Sequence, residues 1–248
     1  MFMEGIEVIF QPTHEHLSEI KQWLLVEDQK KRFAGFYCNW NSIEYSFDRN
    51  EMSVILQGKS AIGFLTWFNY TKVTKIQIAE IKPGFRKKGY GRILTQTVLD
   101  HLIRQGFVVA YLHCQPATSE TAWKKIGFMR YPQVPDFADY NNKEEGRHLY
   151  KILVPCADQS KSPTEKQIEL WSVESYLSSR HMPKWRWELK FNANGQELEK
   201  PIIAPAKRKW DIRWQENGQI IKDGQIKYFD KTDIDYCDFI IIESMPAR

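Results

Sequence analysis

The chain has 248 residues, of which 42% are hydrophobic and 27% charged. That is the profile of a globular protein with a core, and it excludes wholesale disorder; the length suits one large domain or two ordinary ones. A net charge of +4 at pH 7 does not by itself mark a nucleic-acid or membrane surface.

Strand and helix signals alternate along the first part of the chain. "GIEVIF" (5–10) alternates and is β-branched, a first strand. Behind Thr13 as a cap, Leu17, Ile20, Trp23, Leu24 and Leu25 fall near helical spacing. "EMSVILQG" and "SAIGFLTWFNY" read as a strand pair turning at Gly58-Lys59, and "VTKIQIAEI" (73–81) as a further strand. A basic loop follows, and then a helix from Tyr90 to Gln105 stopped by Gly106. "FVVAYLHC" (107–114) reads as a buried strand, "TSETAWKKIGF" as a short helix capped by Thr118 or Ser119, and "RHLYKILV" (147–154) as a last strand.

The texture then changes. Residues 156–167 are polar and linker-like, and 168–248 read as a small β-rich domain after one helix. Its strands are "KWRWELKF", "KWDIRW", "QIKYF" and "DFIIIES", with turns at Asn194-Gly195, Asn217-Gly218 and Asp223-Gly224. Trp185, Trp187, Trp210 and Trp214 fit a core at strand spacing; a stacking surface for a sugar or base is the alternative. Cys38, Cys114, Cys156 and Cys237 make no Cys-x-x-Cys pair, so no metal site is expected. The opening residues have no leader pattern and no apolar run is long enough for a bilayer, so a cytoplasmic protein with reduced thiols is expected.

The chemistry concentrates in "IKPGFRKKGYGRIL" (81–94). The first amides of a helix have no intrahelical acceptor, the helix dipole puts partial positive charge there, and glycines let an anion approach. Arg86, Lys87 and Lys88 add formal charge suited to a pyrophosphate. A solvated basic turn is the competing reading. Arg86-x-x-Gly89-x-Gly91, with Ile81-x-Pro83 before it and an amphipathic helix after it, resembles the acyl-CoA signature of the GNAT superfamily of N-acetyltransferases. The element order over about residues 5–155 and the "AWKKIGF" helix end resemble that family too.

The resemblance implies an α+β fold with a mixed, mostly antiparallel central sheet flanked by helices. Residues 1–155 would be the catalytic domain, and the tail is not covered. It implies acetyl-CoA as cosubstrate, a primary amine as acceptor, and direct attack with both bound. The loop amides of Arg86, Lys87, Lys88, Gly89, Tyr90, Gly91 and Arg92 would hold the pyrophosphate, and the backbone around Ile81 would run beside the pantetheine arm. The family's usual base position is Gln77 here, an amide that cannot take a proton at neutral pH. Glu80 is the nearby carboxylate, but strict alternation puts it on the face opposite Gln77, Ala79 and Ile81 unless a β-bulge intervenes. The family's acid position is Trp123, and Pro116 stands where an Asn usually precedes that helix. Tyr111, His113 or Tyr131 stand in as candidate proton donors, with a structural histidine as the alternative at His113. Cys114 reads as a small buried hydrophobe. A domain that binds acyl-CoA without turnover is the second functional reading; a tail that binds nucleic acid or glycan is the third, disfavoured for nucleic acid by the low charge. The acceptor's identity and self-association stay open.

Overall fold

The computed structural model describes residues 5–30, 36–132, 147–193, 195, 197–229 and 238–244. The chain falls into two compact units. One comprises Met1–Met129 with Leu149–Leu153, the other Arg130–His148 with Val154–Arg248.

The first unit opens with β1 (Ile6–Ile9) and the helices α1 (His14–Lys30) and α2 (Trp40–Asp48). Three long strands follow: β2 (Met52–Gln57), β3 (Ser60–Tyr70) and β4 (Val73–Ile81). Next come α3 (Tyr90–Arg104), β5 (Val109–His113), α4 (Glu120–Lys125), β6 (Met129–Arg130) and β7 (His148–Ile152). The strands form one seven-stranded sheet in the order β1-β2-β3-β4-β5-β7-β6. From β1 to β4 the pairs are antiparallel, and β4 with β5 is parallel, as α3 crosses over between them.

Sequence explains these elements locally. Thr13 caps α1: its Oγ accepts from the His16 N–H at 3.5 Å while its own N–H donates to His16 Nδ1 at 3.1 Å, a capping box with histidine in place of Glu. Gly58 takes φ of 60° in the β2–β3 turn, where a side chain would be strained. Alternation on the strands fills two cores. Ile55, Ile62, Leu65, Trp67 and Ile76 meet Leu94, Val98 and Leu102 of α3 on one face. On the other, Met52, Val54, Phe64 and Ile78 meet Ile20, Trp23 and Leu24 of α1 and Ile43 of α2. Each such side chain, fully buried, contributes about 1.5–3 kcal/mol.

The second unit holds a four-stranded antiparallel sheet in the order β12-β11-β8-β9 and a two-stranded pair of β10 with β13. Its strands are β8 (Lys166–Trp171), β9 (Trp185–Glu188), β10 (Glu197–Pro205), β11 (Asp211–Glu216), β12 (Gln219–Gln225) and β13 (Phe239–Ser244). The expected leading helix is replaced by β8, and the helix that exists, α5 (Ser175–Ser178), is a single turn. "QIKYF" is a 3-10 turn over Ile226–Tyr228 and not a strand. Asn217 and Gly218, at φ of 50° and 78°, make the hairpin turn that Asn-Gly predicts. Trp187, Trp210 and Trp214 are buried in this unit's core, and Trp185 stacks on Trp210 at 5.6 Å between centroids. The core reading fits Trp187, Trp210 and Trp214, while Trp185 is half-buried. Residues in the linker-like stretch are hydrogen-bonded within this unit: Ala157 N–H donates to Pro201 O at 2.8 Å and Ser160 N–H to Arg186 O at 2.7 Å. Cys237 and Asn194 lie outside the described residues.

Candidate functional site

The basic loop joins β4 to α3. A 3-10 turn over Pro83–Phe85 ends at Arg86, whose N–H donates to Pro83 O at 3.3 Å. Lys87 then takes φ of 63° and Gly89 φ of 90°, and α3 begins at Tyr90. The first hydrogen bonds of the helix run from Arg92 N–H and Ile93 N–H to Gly89 O. Among the described residues, the backbone N–H groups of Lys87, Lys88, Gly89, Tyr90 and Gly91 have no acceptor. Consecutive free amides with left-handed residues among them, at the positive end of a 15-residue helix, form a concave donor array for an anion. Lys87 and Lys88 are exposed beside it. Within the range expected to hold a pyrophosphate, Arg86 and Arg92 spend their amides inside the loop.

Next to this array the sheet opens. β4 pairs with β5 from Val73↔Val109 to Ile76↔Leu112 and no further, so Gln77–Ile81 lack a neighbour on that edge. The separation coincides with a β-bulge: Trp67 pairs with Ile76 and Thr66 with Ile78, leaving Gln77 as the extra residue. This is the bulge that strict alternation demanded before Glu80 could change face. Ile76 packs toward α3 and Ile78 toward α1 and α2. Gln77 also faces α2, with its Oε1 3.0 Å from Ser46 Oγ. Glu80 thus shares the α1–α2 face with Gln77 and Ile78, while Ala79 and Ile81 turn to the α3 side.

Main-chain directions follow from the same ladder. Lys82 N–H donates to Ile62 O at 2.9 Å, so Ile81, one residue earlier, turns its N–H and C=O away from β3 and onto the open edge. Side chains meet both groups. Ile81 N–H donates to Glu80 Oε1 at 3.0 Å, and Arg86 Nε donates to Ile81 O at 2.8 Å.

Arg86 is the hub of the site. Its Nη2 lies 2.7 and 2.9 Å from the two carboxylate oxygens of Glu27 on α1, and 3.1 Å from Glu80 Oε1. Glu27 and Glu80 are largely buried, at 12% and 15% side-chain exposure, whereas Arg86 is at 38%. Burial pushes the Glu80 carboxyl above its usual range, and the charge of Arg86 partly opposes that rise. A cavity of about 600 Å³ adjoins the cluster, lined by Trp23, Val26, Glu27, Lys82, Pro83 and Arg86 among others.

The remaining candidates sit elsewhere. Tyr111 is buried on β5, and His113 is the first residue beyond the last β4–β5 pair. Both alternate away from Ala110, Leu112 and Cys114, which pack toward α3. Cys114 is buried with its Sγ 3.1 Å from Ser119 Oγ. Trp123 packs edge-on against Phe128 at 5.3 Å. Tyr131 belongs to the second unit, where its hydroxyl donates to Asp238 O and its ring meets Phe239 edge-on.

Two residues of the site escaped the sequence reading. Glu27 looks like one more solvated charge near a helix end, and nothing local marks it. Gly63, opposite Ile81 in the β3–β4 ladder, had a readable type but an unreadable cause: an added Cβ would sit 2.8 Å from Glu80 O.

Among the described residues no group of three or more His, Cys, Asp or Glu could hold a metal ion, and no helix is long and apolar enough to cross a membrane.

The model of the acetyltransferase (GNAT) family matches residues 11–128. No curated protein sequence matches the chain. Among solved structures, Ard1 from Thermoplasma volcanium aligns with a TM-score of 0.47 at 14% identity, covering 61% of this chain and 99% of its own. The ribosomal-protein-S18-alanine N-acetyltransferase from Escherichia coli aligns at 0.48 and 11%, covering 64% and 99%. Tetrahymena GCN5 aligns at 0.46 and 19%, covering 62% and 98%. Residues 11–128 of this chain are an acetyltransferase domain of the GNAT family.

Proposed function

We propose that the chain moves an acetyl group from acetyl-CoA to a primary amine by direct attack, with both substrates bound together. The observation that carries this reading is the run of unmet amides from Lys87 to Gly91 beside an opened sheet edge. Those amides, with Lys87 and Lys88, suit the pyrophosphate, and the edge-facing N–H and C=O of Ile81 suit the amides of a pantetheine arm. Acetyl-CoA supplies the acyl group already activated as a thioester. In this reading residues 1–155 form the catalytic domain and 156–167 the linker, and the role of 168–248 stays open.

The acceptor arrives as an ammonium and attacks only after losing a proton. Glu80 is the base in this reading, since a carboxyl whose affinity for protons is raised by burial is better matched to that task than an ordinary one. As the new C–N bond forms the C–S bond breaks, and the departing sulfur takes a proton from Tyr111 or His113, or from water. Placing the two reactants together supplies a large part of the rate without a dedicated acid.

Calorimetric titration with acetyl-CoA, followed by thiol release against a panel of amines, tests the reading. Gly89→Val is the informative variant. A Cβ added at Gly89 meets nothing within 4 Å, so the cost to the free protein lies mainly in the left-handed backbone, at least about 1–2 kcal/mol. Acetyl-CoA affinity is expected to fall at least tenfold in the folded variant; unchanged affinity would remove the loop from the site. Binding without thiol release for any amine would favour an acyl-CoA sensor.

A further inference from the structure

The proposed site contains a contradiction that its own geometry resolves. Arg86 opens the cofactor signature, yet its side chain points back into the protein. Its Nε holds Ile81 O at 2.8 Å, and its Nη2 holds Glu27 and Glu80. The Ile81 carbonyl is one of the groups the open edge offers a cofactor arm, and the two carboxylates are the anionic groups beside it. One side chain therefore occupies places that both substrates need.

Three features mark Arg86 as the removable member of the cluster. It is the exposed partner, at 38% against 12% for Glu27 and 15% for Glu80. It is carried on the loop, whereas the carboxylates are fixed on a helix and a strand. It also fits imperfectly. Nη2 has two hydrogens but lies within 3.1 Å of three carboxylate oxygens. A primary ammonium has three donors, which matches the oxygens one to one. Charge points the same way, because one guanidinium against two carboxylates leaves the cluster short of a positive charge. Lys82 does not make up the difference: its Nζ lies 3.6 Å from Glu19 Oε1.

We propose that Arg86 is a displaceable stopper coupling the two substrates. Binding of CoA at the loop takes Arg86 off Ile81, Glu27 and Glu80, and the freed carboxylates then receive the acceptor's ammonium. Glu27 is a positioning residue: it parks the arginine in the resting protein and steadies the amine in the loaded one. The acceptor class this selects is a primary amine carried as a cation. The inference rests on the transferase reading, and it goes further by making affinity for the amine depend on CoA through one named side chain. By linkage the coupling is reciprocal.

The test is calorimetry on the full chain with n-butylammonium as probe, without and with saturating CoA, which has no acyl group to transfer. In the unaltered chain CoA is expected to raise butylammonium affinity about tenfold or more. In Arg86→Gln the amine should bind as tightly without CoA as with it. Glu27→Gln should weaken the amine about tenfold while leaving CoA affinity unchanged or higher, since the arginine is then less tightly parked. Equal amine affinity with and without CoA in the unaltered chain overturns the proposal, as does an amine that binds under neither condition. Failure of CoA itself to bind overturns the transferase reading, and the coupling with it. The unaltered chain decides the matter even if a variant fails to fold.

Discussion

Gly63 shows how a single residue sets the geometry of this site. It stands opposite Ile55 on one side and Ile81 on the other, at the place where β3 supports the strand end bearing Glu80. A methyl group there would meet Glu80 O at 2.8 Å and Ile55 Cγ2 at 3.0 Å, so backbone must move. Gly63→Ala is expected to destabilise the fold by about 1–3 kcal/mol, the usual cost of overpacking. Denaturant unfolding reads that cost as a lower midpoint at unchanged slope. Because the yielding backbone belongs to Glu80 and Ile81, acetyl-CoA affinity should drop as well. A variant with unchanged midpoint would show that β4 is not held this tightly. Residues such as Gly89 were legible because their chemistry is local: glycine, cation and helix start lie side by side. Glu27 was not, because its partner Arg86 is 59 positions away and only the packed fold joins them.

At the scale of the element, the Gln77 bulge does two things that a regular strand could not. It lets Ile76 and Ile78, two positions apart, pack on opposite faces, which brings Glu80 to the side of α1 and α2. It also lies where β4 and β5 separate, consistent with the bend a bulge imparts. Deleting Gln77 is expected to regularise β4 while leaving Ile78 and Glu80 on their present faces. The strand would then straighten toward β5, the folded protein would survive, and acetyl-CoA affinity would fall at least tenfold. Calorimetry reads the affinity, and hydrogen exchange around Leu112 and His113 reads the extended pairing as slower exchange. Retained affinity would mean that the opening does not depend on the bulge. The span of β4, Val73–Ile81, was read correctly from its alternation, but the bulge has no signature in "VTKIQIAEI". Other elements were hidden for different reasons. In α2 the apolar positions Trp40, Ile43 and Phe47 cover barely two turns, too short a run to declare a helix. β10 contains Pro201 and Pro205, which read as breakers but are tolerated in a two-stranded pair. β12 carries Asp223-Gly224, a turn signal overridden by pairing with β11.

At the scale of the whole molecule, two units with separate cores divide the work of folding. One sheet with α1 to α4 carries the family match and every residue offered here for chemistry, while the second unit closes its own core around Trp187, Trp210 and Trp214. The change of texture in the sequence lies near residue 156, whereas the second unit takes in Arg130–His148 as well as Val154–Arg248. Long-range pairing decides such membership, as when Tyr131 donates to Asp238 O. Ligand linkage should expose the division directly. A ligand that binds the native first unit at 100 times its dissociation constant stabilises that unit by about 2.7 kcal/mol. Hydrogen exchange with and without saturating acetyl-CoA is therefore expected to slow most for amides of β4, α3 and β5, with little change in β8, β9 and β11. Each strand pair there is held by its own contacts, including the buried Arg186–Glu169 bridge at 2.6 Å, and none of the residues proposed for acetyl-CoA lies in it. Equal protection across both sheets would mean that the two units open as one, and the second unit would then have a share in whatever acetyl-CoA does to the first.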